Sequence, residues 1–427
     1  MIMDLSTIEH ATLDWRYKGV PLGATVKLSE IGSLGWNVAG GDLSLPITTL
    51  RVDAVRHNIA TLSAYCERYG VSLAPHGKTT MSPQLFDWQL ESGAWAMTAA
   101  TPGQVQIMRQ FGVPRVILAN ELVEADALRW VGGQLEHDAG FEFMCLVDSI
   151  ETVAVMDAAL HGVLTTRRLP VLLEVGVPGG RTGIRDFADA MRLAESIAAS
   201  QTLELVGVET YEGLAGRSAS LEDIAAVDHL LNAVRGLVVS LSSAGLFAGD
   251  EVIVSAGGSV YFDRVVESLT NWPAGTAVPR IVLRSGCYLS HDAGRYHRLS
   301  PLDGRREADE TLSLRDALES WAVVLSVPEP GLVILGTGKR DVPYDVEMPL
   351  PMRVHRRDGS ITELENCIVT GMMDQHAFMS VGSPVSIAPG DIVALGLSHP
   401  CGAFDKMPFI PLVDDAWNVV DGVLTFF

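Results

Sequence analysis

Eight short apolar runs, separated by stretches of helical periodicity, are the feature of this sequence that most restricts its fold. They are VSLAP (71–75), AWAMTAA (94–100), RVILAN (115–120), FEFMCLVD (141–148), PVLLEVG (170–176), LVGVET (205–210), EVIVSAGG (251–258) and RIVLRSG (280–286). None alternates cleanly between apolar and polar residues, as strands buried on both faces of a parallel sheet need not. Segments such as DFADAMRLAESIAAS (186–200) lie between them. Strand–helix alternation fits either a doubly wound open sheet or a (β/α)8 barrel, and the count of eight favours the barrel. Ahead of the first run, Val52, Val55, Ile59, Leu62 and Tyr65 have helical spacing, and Gly70 follows as a helix-ending glycine.

Beyond about residue 300 the pattern changes to β-rich segments with glycine and aspartate turns, Arg357-Asp358-Gly359-Ser360 being a hairpin signal. The expected organisation is an N-terminal segment (1–45) that contributes to a β-domain, a barrel (46–300) and a C-terminal β-domain (301–427). With 48% apolar and 19% charged residues, 427 residues suffice for a large core. A formal charge of −21 argues against a nucleic-acid partner. The N-terminus shows no signal-peptide pattern, and no uninterrupted apolar run approaches the ~18 residues of a membrane span. Five scattered cysteines point to a reducing, cytoplasmic setting.

Chemistry in a βα barrel gathers where the strands end. Lys78, in SLAPHGKTTMSP, follows the first run; a partly desolvated lysine there can form a Schiff base with a carbonyl, and an exposed one is only a loop lysine. Gly257, Gly258 and Ser259 follow the seventh run, and Gly286 and Cys287 the eighth. Loops at those two positions frequently bind phosphate through backbone N–H groups. Arg181 follows the fifth run and Tyr211 the sixth, and both also have plain structural explanations. His399 and Cys401 are two apart, so on an extended chain both side chains face one way as a Zn²⁺ pair; a buried thiol and a satisfied imidazole are the alternative. His376 is either a third polar member or a core histidine.

Taken in order, RVDAVRHNI, PHGKTTMSP, GVPRVILANELV, EVGVPGGRTGI, GVETYEG, SAGGSV and HPC resemble the fold-type III pyridoxal-phosphate enzymes. The chain is most similar to their D-threonine aldolase and D-serine dehydratase branch, over roughly residues 45 to 405. The resemblance implies an alanine racemase-like barrel with a C-terminal β-domain, a homodimer, pyridoxal 5′-phosphate and a D-amino acid substrate. It makes Lys78 the Schiff-base lysine and the base at the substrate Cα, and it sets Arg181 near the pyridoxal 3′-oxygen and Tyr211 near the pyridine nitrogen. Gly257, Gly258, Ser259, Gly286 and Cys287 become the phosphate loops. His399 and Cys401 become the metal pair of the dehydratase branch, where the aldolases more often show H-x-D; zinc or manganese would occupy it, and a thiolate leans toward zinc. Two departures stand out: GGSVYF in the phosphate loop, and Glu209 where glutamine is commoner, either altering the electrostatics around the pyridine ring or facing a helix. The expected activity is β-elimination from D-3-hydroxy amino acids, with retro-aldol cleavage, racemisation and non-catalytic cofactor carriage as rivals.

Overall fold

The computed structural model describes residues 3–273, 278–305, 312–382 and 385–427. All eight apolar runs form strands of one parallel sheet: Ser72–Leu73, Met97–Ala99, Arg115–Glu121, Glu142–Val147, Leu169–Val175, Leu203–Thr210, Ile253–Ala256 and Arg280–Leu283. Each strand from the second to the eighth pairs with its predecessor in sequence, except the second, and the first pairs with the eighth. A parallel bridge between His76 and Thr98 joins the first strand to the second and closes the barrel. Closure leaves no strand edge exposed, which the open-sheet alternative would have done.

The barrel interior is filled by Ala74, Ala96, Ile117, Met144, Leu146, Leu172, Ile253 and Val282, with Trp95 and Val206 packed against them. Every strand contributes, and period-two alternation places the outer-facing residues of each strand under the helices. The intervening helices include Pro102–Gln110, which Thr101 caps by accepting the Gln104 N–H, and Phe187–Ala199, which Asp186 caps twice. Helix Leu221–Ser243 is long and apolar enough to cross a membrane by length and composition, but buries Val227, Leu231, Val234, Val238 and Leu241 inside this unit. The lead-in helix Val52–Tyr69 ends as read from the sequence, with Gly70 at φ +63°.

Chain contacts divide the protein into two compact units. One comprises residues 63–78 and 89–286 and holds the barrel sheet; the other comprises 4–62, 79–88 and 287–427. In the second, Leu318–Glu329 pairs antiparallel with Ile392–Gly396 on one side and with Ile47–Arg51 on the other. The Arg357–Ser360 signal is a hairpin turn between Leu350–His355 and Ile361–Glu363, with Gly359 at φ +85°. Trp321 is fully buried in this unit and its indole N–H donates to Thr49 Oγ1 at 2.9 Å.

Replacing Leu172, fully buried in the barrel interior, by alanine opens a cavity where eight strands converge. A loss of about 2–5 kcal/mol in chemical denaturation is expected.

Candidate active site

Toward the strand ends the barrel interior changes from apolar to charged. Two residues past the apolar layer, the same inward positions hold His76, Thr98, Asp148, Glu174 and Arg284, with Glu121 and Glu209 on the third and sixth strands. Glu121 keeps the inward parity of Ile117, whereas Glu209 faces inward only because of a bulge. In the sixth strand Leu205 pairs with Val171 and Gly207 with Leu172, so Val206 is an extra residue and Glu209 falls opposite Glu174. In the third strand two extra residues between Leu118 and Glu121 set Glu121 opposite the inward Leu146 without changing its face. Glu209 therefore does not face a helix.

Burial controls the charge of this layer. Glu209 is fully buried against the Arg284 guanidinium, which also donates to Thr210 O at 3.0 Å. Burial pushes the Glu209 carboxyl up to about 7, Arg284 opposing and Glu174 adding to the rise. Glu121 rises to about 9, first through burial and then through hydrogen bonding with Glu174 and its charge. Glu121, Asp148 and Glu174 offer carboxylate oxygens within 4.8 Å of one another, and keeping Glu121 protonated relieves the repulsion. His76 is held neutral, well below the usual imidazole range, by burial and then by the positive charges of Lys78, Arg284 and Arg181. Its Nδ1 is buried without a hydrogen-bond partner. Lys78 itself is half-buried in the 3-10 turn Gly77–Thr79 that ends the first strand.

The loops above this layer are packed tightly. After the fifth strand the chain doubles back, Ile184 bridging Val175, so that Arg181 lies at the tip with its guanidinium carbon 4.9 Å from the Tyr211 ring centroid. Gly183, at φ +95°, comes so near Gly176 that a Cβ would sit 2.6 Å from the Gly176 nitrogen, and its N–H donates to Asp148 at 3.1 Å. After the seventh strand, a Cβ on Gly258 would meet the Tyr211 ring at 2.9 Å. The Gly257 and Gly258 N–H groups donate to the carboxylate of fully buried Glu212, at 2.9 and 2.6 Å. Ser285, after the eighth strand, donates to the carbonyls of both glycines. Lys78, Arg181, Tyr211, Gly257, Gly258, Ser259 and Gly286 thus all lie at the strand ends of the barrel unit.

In the other unit, His399 and Cys401 are not on an extended segment. His399 has φ +78°, Pro400 is already helical and Cys401 opens the short helix Cys401–Phe404. A turn, rather than strand alternation, brings the two side chains together. Asp292 accepts the His399 N–H at 3.0 Å and so supports its left-handed backbone. Asp345 binds His399 Nδ1 at 2.7 Å, which leaves Nε2 as the ring's other donor. The imidazole is raised to about 9 by hydrogen bonding with Cys401, then by its charge and that of Asp345. Cys401 is driven well below the usual thiol range by hydrogen bonding with Cys287, then with His399 and Thr79, whereas the Cys287 thiol is pushed up by its bond to Cys401. The two sulfurs lie 3.8 Å apart, within hydrogen-bonding reach. His376 is neither a core residue nor buried: it sits on the exposed turn between Cys367–Met372 and Ala377–Val381.

Sequence reading passed over His76, Arg284, Glu212 and Asp345. Arg284 stood in plain view in RSG, where the glycine drew the attention, and Asp345 is 54 residues from its histidine.

Known proteins with the same arrangement supply the context. The "Alanine racemase, N-terminal domain" family matches residues 50–265, and the "Putative serine dehydratase domain" family matches 317–413. A D-threonine aldolase of Arthrobacter sp. is 24% identical over 381 residues, spanning 89% of this chain and 88% of its own. Among solved structures, a D-threonine aldolase from Filomicrobium marinum superposes with a TM-score of 0.75 at 21% identity, covering 92% of this chain and 97% of its own. D-threo-3-hydroxyaspartate dehydratase from Delftia sp. HT23 gives 0.71 at 19% identity, covering 91% and 99%. A D-threo-3-hydroxyaspartate dehydratase is also known with a cysteine changed to alanine, in metal-free form. At these identities the structural likeness establishes the fold.

The protonated Glu121 has a consequence for stability. In the unfolded chain it ionises from pH 4.5 but in the folded protein only near 9, so the folded state binds an extra proton between those values and loses stability as pH rises through them. Glu121→Gln removes this loss. Its melting temperature relative to the parent should climb from pH 4.5 to 9 and then level off.

Proposed function

The chain belongs to the alanine racemase N-terminal domain family, among the fold-type III pyridoxal-phosphate enzymes, and from that premise we propose that it is a metal-dependent lyase of D-3-hydroxy amino acids. In this reading it eliminates the β-hydroxyl and leaves a 2-oxo acid and ammonia. The observation that carries it is the His399–Cys401 turn, which sets a cysteine two residues from an imidazole whose Nδ1 is fixed by Asp345.

The barrel unit has features that suit an anionic aromatic cofactor. Lys78, Arg181 and Arg284 converge electrostatically on His76, whose Nδ1 is a buried orphan. Gly258, bare of a side chain, lets the Tyr211 ring pack directly against the seventh-strand loop. His399 Nε2 and the Cys401 thiolate suit a borderline-soft divalent cation such as zinc. Pyridoxal phosphate supplies an electron sink for a carbanion at the substrate Cα, and the cation supplies Lewis acidity toward the β-oxygen.

The residues would then divide the work. Lys78 Nζ binds the cofactor covalently and afterwards removes the proton from the substrate Cα. Arg181 holds the aromatic face of Tyr211 in place. Glu209, buried against Arg284 and titrating near 7, sets the charge beneath the ring, where the more usual glutamine would be neutral. With Gly257 and Gly258 engaged by Glu212, Ser259, Gly286 and the Cys287 backbone are left to receive the phosphate. His399 and Cys401 hold the cation, and Asp345 keeps the imidazole in the tautomer that can bind it. A soluble, cytoplasmic homodimer belongs to the same reading, in keeping with five free cysteines.

A second reading has a specific support, the curated aldolase relative. There the β-hydroxyl is deprotonated and the Cα–Cβ bond breaks, giving glycine and an aldehyde. Incubating the enzyme with D-serine, D-threonine and D-threo-3-hydroxyaspartate separates the two. Equal amounts of 2-oxo acid and ammonia, abolished by a chelator, are expected; glycine with an aldehyde would sink the elimination. Purified Lys78→Ala should lack the visible absorbance band of the lysine-bound cofactor.

A further inference from the structure

Among the described residues, two clusters each bring ligand atoms of three His, Asp or Glu side chains within 4.8 Å of one another. One is the all-carboxylate cluster of the barrel, where Glu121 keeps its proton. The other is His291, His297 and Asp316, in the β-rich unit. Its members come from the turn after Cys287–Leu289, the helix Arg295–Leu299 and the residues leading into strand Leu318–Glu329. His291 is 1% exposed and has φ +50°, uncommon for a residue with a side chain. Asp303 bonds both rings, at 2.8 Å to His291 Nε2 and 2.9 Å to His297 Nδ1, and so fixes their planes. The Arg51 guanidinium donates to the Asp316 carbonyl at 2.7 Å, but Asp316 Oδ1 is buried with no hydrogen-bond partner. Burial pushes that carboxyl up, and the two imidazoles oppose the rise.

We propose that His291, His297 and Asp316 bind a divalent cation of the zinc class, at a site that shares no ligand with the His399–Cys401 turn. Two imidazoles and one carboxylate are a zinc donor set that leaves a position for water, and nitrogen donors disfavour magnesium and calcium. Ligand atoms on one tetrahedral zinc at ~2.0–2.1 Å stand about 3.4 Å apart, so atoms within 4.8 Å of one another close by at most about 1.4 Å. The His297 side chain, 52% exposed, has the freedom to make that approach and opens the fourth position to solvent. A dication also neutralises the Asp303 and Asp316 carboxylates, which repel one another without it. Asp292, the next residue after His291, is not a ligand, because it accepts the N–H groups of Gly294, Tyr296 and His399. An ion held here ties the His291 turn to the start of the strand Leu318–Glu329, and through Asp292 it steadies the His399 backbone. The competing account is a pair of histidines satisfied by Asp303 alone.

Zinc binding to the whole, cofactor-containing chain decides between them, measured by chelator competition in a His399→Ala, Cys401→Ser background that removes the other candidate site. One zinc per chain is expected there, with a melting temperature that rises when zinc is added and does not move with magnesium. Adding His297→Ala, on the exposed side, or Asp316→Asn should weaken that zinc by roughly tenfold or more and remove the rise. The metal-free His297→Ala chain should melt with the metal-free background, which separates a lost ligand from a damaged fold. No zinc bound to the background chain overturns the proposal. Zinc bound there with an affinity indifferent to both substitutions sits elsewhere on the surface and overturns it equally. Either result leaves the lyase reading and its His399–Cys401 pair standing, and failure of that reading would leave this zinc in place.

Discussion

A closed parallel barrel must fill its own inside, and that requirement governs where this protein can hold charge. Alternate residues of all eight strands point inward whatever their chemistry. Up to the level of Leu172 and Val282 these are apolar and close-packed. Above them, at the strand ends, come three carboxylates in one cluster, a fourth against Arg284, and a neutral histidine. Burying ionised groups costs several kcal/mol each unless they are paired or protonated. The layer meets that cost by a proton kept on Glu121, an ion pair at Glu209 and Arg284, and a neutral imidazole at His76. The loops then inherit a floor whose charge is set before any ligand arrives.

That floor explains why the loops are built as they are. Arg181 stacks on Tyr211, and the glycines at 176, 183 and 258 let neighbouring groups approach where side chains would collide. Glu212 gives the seventh-strand loop an internal carboxylate partner for two of its N–H groups. In the second unit the same economy of local geometry applies: a left-handed residue at His399, supported by Asp292, turns two neighbouring side chains into a pair.

Much of this was legible from sequence because it depends on local pattern. Eight apolar runs became eight strands, and Lys78 emerged where a strand ends. What escaped depends on register or on distant partners. One extra residue at Val206 reverses the inward face of the sixth strand, and nothing in LVGVET announces it. Glu209 was therefore left between two orientations that only the bulge resolves. Arg284 and Asp345 matter through partners 75 and 54 residues away. The H-x-C motif was given strand geometry, because a positive φ at a histidine is not something its neighbours encode.

The central claim is that Lys78 is the residue that binds the cofactor. Borohydride reduction of the purified protein, followed by peptide mass mapping, tests it most directly. The account predicts a phosphopyridoxyl group on the peptide containing Lys78 and on no other. The same mass on a different lysine, or no modified peptide from protein shown to contain pyridoxal phosphate, would contradict it.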